Sequence, residues 1–171
     1  MNETREYFAM LDRVAAAANK LPRRAATEAV NFSKERFRKQ NWVDYTTQPW
    51  KPRKPAWQKQ SKRRGQRAIL IDTGRLRRSI RVVHVDSHRA VIGTDVPWAR
   101  VHNEGFRGQV KQNIAAHTRS GGVTRKSHRV KSHTRTINQH IPQRQFIGAS
   151  AVLQARLVRL GVSEINKAIK G

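Results

Sequence analysis

Ile80-Arg81-Val82-Val83-His84-Val85-Asp86-Ser87-His88-Arg89-Ala90-Val91-Ile92-Gly93 is the stretch on which the fold turns. A β-branched run from Ile80 to Val85, the polar break Asp86-Ser87-His88 and a second run from Ala90 to Gly93 predict two adjoining strands with a short turn between them. Strict alternation sets Ile80, Val82 and His84 on one face and Arg81, Val83 and Val85 on the other. Apolar residues on both sides require cover on both, a helix on one face and a neighbour on the other.

Just upstream, Asp72-Thr73-Gly74-Arg75-Leu76 reads as a turn, with Gly74 free to take positive φ and Asp72 or Thr73 placed to cap a short helical turn through Ser79. Downstream, Pro97 stops the second strand, and Trp98, Val101 and His102 fit a short helical turn that Gly105 ends. From Gly105 through Ser163 there is no acidic residue. Residues 105–140 hold eight Lys or Arg, four histidines and the Gly121-Gly122 pair, in an alternation that permits an extended β-ribbon but offers few core-forming side chains. This segment is expected to protrude as a long hairpin or loop that orders on a partner. Ile141-Pro142 then leads through Phe146 and Ile147 into a final helix with an apolar stripe of Val152, Leu153, Leu157, Leu160, Ile165 and Ile169.

At the other end, residues 1–40 read as helix, with Tyr7, Met10, Leu11, Val14, Ala18 and Leu21 on one stripe. Pro22 interrupts it, as a kink or as the first turn of a second helix carrying Ala25, Ala26, Ala29, Val30, Ser33 and Phe37. Residues 41–70 form a Trp/Pro-rich basic loop, in which Trp42, Tyr45, Trp50 and Trp57 alternate with Pro49, Pro52 and Pro55. Indole rings among cations suit stacking on single-stranded nucleic acid. Pinning of the loop to its own domain or to a neighbouring subunit, through burial of large apolar area, is the favoured alternative. The fold class expected is α+β: a small antiparallel β-sheet packed by a long N-terminal helix and a C-terminal helix, with long basic loops or a β-ribbon. One domain would span residues 1–171, divided at 1–40, 41–70, 71–104, 105–140 and 141–171.

The chain has 171 residues, 36 Lys or Arg against 11 Asp or Glu, and no cysteine, for a formal net charge of +25. With 37% hydrophobic and 6% aromatic residues it can build a modest core, leaving other segments solvated or held by partners. Disulfide frameworks and thiolate metal sites are excluded. No stretch approaches the roughly 18 apolar residues of a membrane span, and the start lacks the basic-then-apolar order of a signal peptide, so a soluble, uncleaved chain is expected. So large a charge calls for a counter-charge: nucleic acid, an acidic protein surface, or both, with a membrane surface the weaker option.

Catalysis finds no constellation. Outside the helical ends the acids reduce to Asp44, Asp72, Asp86, Asp95 and Glu104, with no close pair for two-metal or two-carboxylate chemistry. His102-Asn103-Glu104 matches the H-x-E of zinc deaminases without their downstream cysteines. His117, His128, His133 and His140 would place a metal among positive charges, and solvated or phosphate-facing imidazoles are favoured. Arg63-Arg64-Gly65 lacks the first glycine of a phosphate-cradling loop. No catalytic, cofactor or metal site is therefore expected.

Several strings share one order along the chain: Phe37-Arg38-Lys39-Gln40-Asn41-Trp42; Trp50-Lys51-Pro52; Leu70 to Ile80 with its Thr73-Gly74-Arg75-Leu76; Val91 to Ala99; Val101-His102-Asn103-Glu104-Gly105; and Ile141 to Gly148. This succession resembles the tailed-phage virion morphogenesis family, tail-completion and neck proteins that act where tail joins head. The likeness covers nearly the whole chain except the basic insert from about Arg107 to His140. It implies a small α+β fold in a homo-oligomeric ring around the DNA channel, hexamer and dodecamer being the counts considered, with neighbouring connector and tail proteins and genomic DNA as partners. It implies residence in the virion neck or tail top after assembly in the host cytoplasm, and no catalytic residue. Trp98 stands where such proteins commonly carry tyrosine, and the insert is longer and more basic than the pattern requires.

Gly74, Leu76, Ile80, Gly93, Pro97, Trp98, His102, Gly105, Pro142 and Phe146 are expected to be fold determinants. Lys51, Arg53, Lys54, Lys62, Arg63 and Arg64 in the loop, with Arg119, Arg125, Lys126, Arg129, Lys131 and Arg135 in the insert, are the candidate contacts to DNA or to acidic partner surfaces. A basic nucleic-acid-binding module, for instance a ribosome-associated protein, is the competing function that charge alone supports.

Overall fold

The computed structural model describes residues 2–53, 67–120 and 126–171, and its longest element is helix α1, Asn2–Lys39. Of the two options for Pro22, a second helix does not form: α1 runs through the proline as one helix. Proline costs one intrahelical bond, and Ala18, whose carbonyl loses its donor, is exposed to water. The final helix α4, Ala151–Lys170, lies antiparallel along α1 and brackets the proline. Arg13 donates to the Ala168 carbonyl at 3.1 Å on one side, and Arg24 pairs with Glu164 on the other.

Gln40 ends α1 at φ 54, the left-handed turn that stops a helix. Its amide then pairs with the backbone of Ile69 as a strand would, accepting from Ile69 N and donating to Ile69 O at 3.2 Å. Between these points the loop opens with a hairpin of three-residue strands, β1 Asn41–Val43 and β2 Thr47–Pro49. Trp42 and Trp50 are buried, which pins the loop to its own chain. Trp42 meets Phe32 edge-on at 5.7 Å, Trp50 meets Phe37 edge-on at 5.3 Å, and the Trp50 indole donates to the Gln145 carbonyl at 2.9 Å. Tyr45 is 91% exposed at the hairpin tip, and Trp57 lies outside the described residues.

Next come α2 Arg75–Ser79, β3 Arg81–Val85, β4 Ala90–Gly93 and α3 Ala99–Glu104. The expected cap of α2 differs: Gly74 itself is the N-cap at φ 75, and Thr73 Oγ1 only accepts from Arg75 N at 3.3 Å. Strands β3 and β4 pair antiparallel as the sequence predicts, but the face assignment fails beyond Val82. A bulge between Val82 and His84 inserts Val83 without a partner, so Val85, not His84, shares the half-buried side with Val82. Val83 is left 61% exposed. The α+β architecture with a helix at each end stands. Its strands, however, are parcelled among the described residues into two-stranded antiparallel ladders rather than one sheet.

The core gathers Val30 and Phe37 of α1, Trp50, Leu76, Ile80, Val96, Ala99 and Phe146, with Ile69, Leu70, Ile71, Val82, Ile92 and Ile147 packed around it. Beside it Arg36 is buried yet satisfied: it donates to Asn41 Oδ1 at 3.1 Å, pairs with Glu35 at 3.1 Å and lies over the Phe32 ring. Arg156 of α4 reaches Glu35 at 3.1 Å and Glu28 at 3.4 Å, so the two long helices are joined by charge as well as by packing.

Phe37 is fully buried between two aromatic rings, so Phe37→Ala should lower unfolding stability by about 3–5 kcal/mol in chemical denaturation. Tyr45→Ala, at an exposed tip, should leave the midpoint within about 0.5 kcal/mol of the parent.

Candidate polyanion-binding ribbon

The basic insert is a β-ribbon. Strand β5, Phe106–Ile114, pairs antiparallel with β8, His133–Ile141, through nine consecutive partners. Beyond a two-residue break on each strand, β6 His117–Arg119 pairs with β7 His128–Val130. The nine-residue ladder from Phe106 to Ile114 extends about 26 Å at 3.3 Å per residue. The segment read as a protruding hairpin or loop is thus a paired ribbon in its described part.

Its base is built from α3 and the residues before α4. Gly105 turns the chain from α3 into β5 at φ 80, and a Cβ there would meet Gln143 N at 3.0 Å and Ile141 O at 3.2 Å, so both conformation and space require glycine. Arg144 N donates to the His102 carbonyl at 2.8 Å. Asn103 does more: its Oδ1 accepts from Phe146 N at 2.9 Å and Ile147 N at 3.0 Å, while its Nδ2 donates to Ile147 O at 3.0 Å. The two strands of the ribbon therefore leave the core from stitched positions.

The register separates two faces. Arg107 opposite His140, Gln109 opposite Asn138, Lys111 opposite Thr136 and Asn113 opposite Thr134 make one that is wholly polar and exposed. Phe106 opposite Ile141 and Val110 opposite Ile137, followed by Ile114, make an apolar row on the other, all half-buried. Arg135, on that second face, donates through Nε and Nη2 to Gln112 Oε1 at 3.1 and 3.0 Å. Arg119 and Arg129 lie exposed in β6 and β7, and Lys126 and Lys131 are exposed beside them. Lys54, Lys62, Arg63, Arg64 and Arg125 lie outside the described residues.

Lys51 and Arg53 lie at the ribbon's base, not along it. They line a cleft with Trp98, His102, His140 and Arg144. The Lys51 and Pro52 carbonyls accept from the buried Arg144 guanidinium at 2.9 and 3.2 Å, and Arg53 donates to the Arg67 and Ala68 carbonyls at 2.7 and 2.9 Å, which closes the loop's neck. Burial, then the nearby charge of Arg53, pushes Arg144 down from the usual guanidinium range. His102 is likewise pushed down by burial and then by the Arg144 charge, and its Nδ1 is buried without a hydrogen-bond partner among the described residues.

Leu76, Ile80 and Phe146 are core residues. A Cβ at Gly93 would meet Val83 at 3.2 Å, and Pro142 is half-buried. Pro97 is exposed, and Trp98 is 45% exposed beneath the Arg75 guanidinium, 5.3 Å from its ring. Sequence reading missed Asn103 and Arg144 as anchors. Both sit inside quoted strings, but a buried polar side chain leaves no periodic trace.

Carboxylates concentrate away from the ribbon. Among the described residues Glu28, Glu35, Asp72, Asp86, Asp95, Glu104 and Glu164 stand in ion pairs, and Asp44 accepts from Ala151 N at 2.6 Å. The ribbon carries none, and no group of three or more His, Asp or Glu side chains among the described residues is placed to hold a metal ion. Nor is any described helix long and apolar enough to cross a membrane. What the arrangement offers chemically is a line of cations and neutral hydrogen-bonding groups suited to phosphate or carboxylate oxygens.

The family model described as "Phage virion morphogenesis family" matches residues 1–159. No curated protein and no solved structure matches the chain.

Two measurements check the anchor. Asn103→Ala strands the amides of Phe146 and Ile147 and should cost about 2 kcal/mol or more of stability. Because the folded state holds His102 below its ordinary pKa of 6.5, the unfolded chain takes up the proton first as pH falls. The thermal midpoint should drop from pH 7.5 to 5.5, and His102→Asn should flatten that drop. A separate loss belongs to Glu35, held at about 2 by the Lys39 hydrogen bond, against burial, with help from Arg156 and Arg36. Its contribution is present above 4.5 and fades as pH falls toward 2.

Proposed function

The chain belongs to the phage virion morphogenesis family and so has a structural role in virion assembly, and we propose that it acts at the head–tail joint, as a tail-completion or neck ring set between connector and tail around the DNA channel. The observation that carries this reading is the ribbon, a nine-partner ladder about 26 Å long with a second short ladder beyond it and not a single carboxylate, leaving a core in which most acids are already committed. A ring multiplies the +25 of each copy, and self-repulsion on that scale calls for a polyanion or for acidic neighbours.

Duplex DNA satisfies that demand without sequence reading, because phosphates are alike at every base pair. A two-stranded ribbon also has the dimensions that the major groove admits. Such contact suits a place where any part of a genome must sit or pass. The acidic faces of adjoining rings offer the same guanidiniums bidentate carboxylates, so the arms fasten neighbours by the same chemistry. Nothing in the role needs a catalytic group, and we read the protein as non-enzymatic, residing at the neck or tail top once assembled in the host cytoplasm.

Particles assembled without the protein should separate into heads and tails under electron microscopy, and normally joined infectious particles would overturn the assignment. The purified protein should bind duplex DNA with an affinity that falls steeply with salt. Replacing Arg107 and Lys111 together with glutamine should make the log–log salt slope shallower by about 2. An unchanged slope would move the contact off the ribbon's polar face.

A further inference from the structure

Two surfaces remain without a partner, and they are opposite in charge. The first is the tip of α1. Residues 3–9 are exposed throughout, and Tyr7, Phe8 and Leu11, at 56%, 59% and 41% exposure, form an uncovered apolar flank. Glu3, Glu6 and Asp12 flank it against a single cation, Arg5, in residues 2–12, and among the described residues none of the three carboxylates has an ion pair. This is the acidic end of a strongly basic chain. The second surface is the ribbon's face of half-buried Phe106, Val110, Ile114 and Ile137, which carries the exposed Arg135 and lies outside the hydrophobic core.

The sizes agree. Helix residues 3–14 span about 17 Å, and the face from Phe106 to Ile114 spans about 26 Å. The two cannot meet within one chain. The ribbon's base lies beside Phe37, because Asn103 binds Phe146 N and the Phe146 ring lies 5.0 Å from that of Phe37. Along the helix Phe8 is about 44 Å from Phe37, whereas Val110 stands only four residues, about 13 Å, beyond the ribbon's base.

We infer that the tip of α1 in one copy docks on the apolar face of the ribbon of the next copy. Tyr7, Phe8 and Leu11 pack over Val110 and Ile137, and the helix tip's carboxylates face Arg135, the one Lys or Arg on that side of the β5–β8 ladder. The contact is heterologous, head to tail, and closes into a ring when the rotation per copy allows. It leaves the polar face, with Arg107, Lys111 and His140, free for phosphates or carboxylates of other partners. The inference rests on the self-association read above and says which surfaces perform it.

Because the chain has no cysteine, introduced thiols report the contact directly. Oxidising an equimolar mixture of Phe8→Cys and Val110→Cys chains should give a disulfide-linked pair with one chain of each type. Phe8→Cys mixed with Gln109→Cys, on the opposite face, should give none. Tyr7→Ser with Phe8→Ser, both exposed in the single chain, should raise the concentration for self-association about tenfold or more with helicity unchanged. Sedimentation of the unmodified protein reads its oligomeric state independently. A closed oligomer that forms no mixed disulfide, or that ignores the Tyr7 and Phe8 changes, overturns the docking and leaves the ring standing. A monomer at every concentration overturns both.

Discussion

Three stretches far apart in the chain meet on the ring of Phe37. The helix α1 supplies it, Trp50 brings the loop edge-on at 5.3 Å, and Phe146 brings the approach to α4 at 5.0 Å. Such aromatic contacts add about 0.5–1.5 kcal/mol each to the area they bury, but position matters more than magnitude here. Asn103 is bonded to the Phe146 and Ile147 amides, and Trp50 to the Gln145 carbonyl, so the orientation of the whole ribbon is referred back to that one aromatic contact. One residue earlier in α1, Arg36 makes the polar counterpart. Its charge is tolerable in a buried place only because Glu35, Asn41 and the Phe32 face all attend to it.

Charge is distributed by a simple division. The interior junctions between helices take up Glu28, Glu35 and Glu164, while the ribbon, with no acid in it, stands away from them. The ribbon has two distinct faces, one polar and one with an apolar row, and a small acidic helix tip lies about 44 Å along α1 from Phe37.

Much of this was legible in the residues. The long first helix, the β3–β4 hairpin, the turn at Gly74, the short helix ended by Gly105 and the final helix follow from periodicity and from glycine and proline placement. The bulge at Val83 was not, because a run of valines carries no mark of where one residue drops out of register. Whether α1 continues through Pro22 stayed open between a kink and a second helix, because the contacts of α4 on both sides of the proline leave no local mark in the sequence. For the candidate site, composition located the cations but could not sort them. Arg53 closes its own loop and Arg144 braces the Lys51 and Pro52 carbonyls, whereas Arg107 and Lys111, absent from the expected contacts, share the ribbon's outward face.

The nine-partner ladder also makes the arm an adjustable ruler. Its stitched base fixes direction, and its side chains alternate with a period of two. Lengthening both strands by an even number of residues would extend reach by about 6.6 Å per pair added to each strand and keep each face as it is. An odd change would turn the distal half over, exchanging its polar and apolar sides. Lineages that need to span gaps of different width are thereby confined to discrete arm lengths, with parity as the inherited constraint.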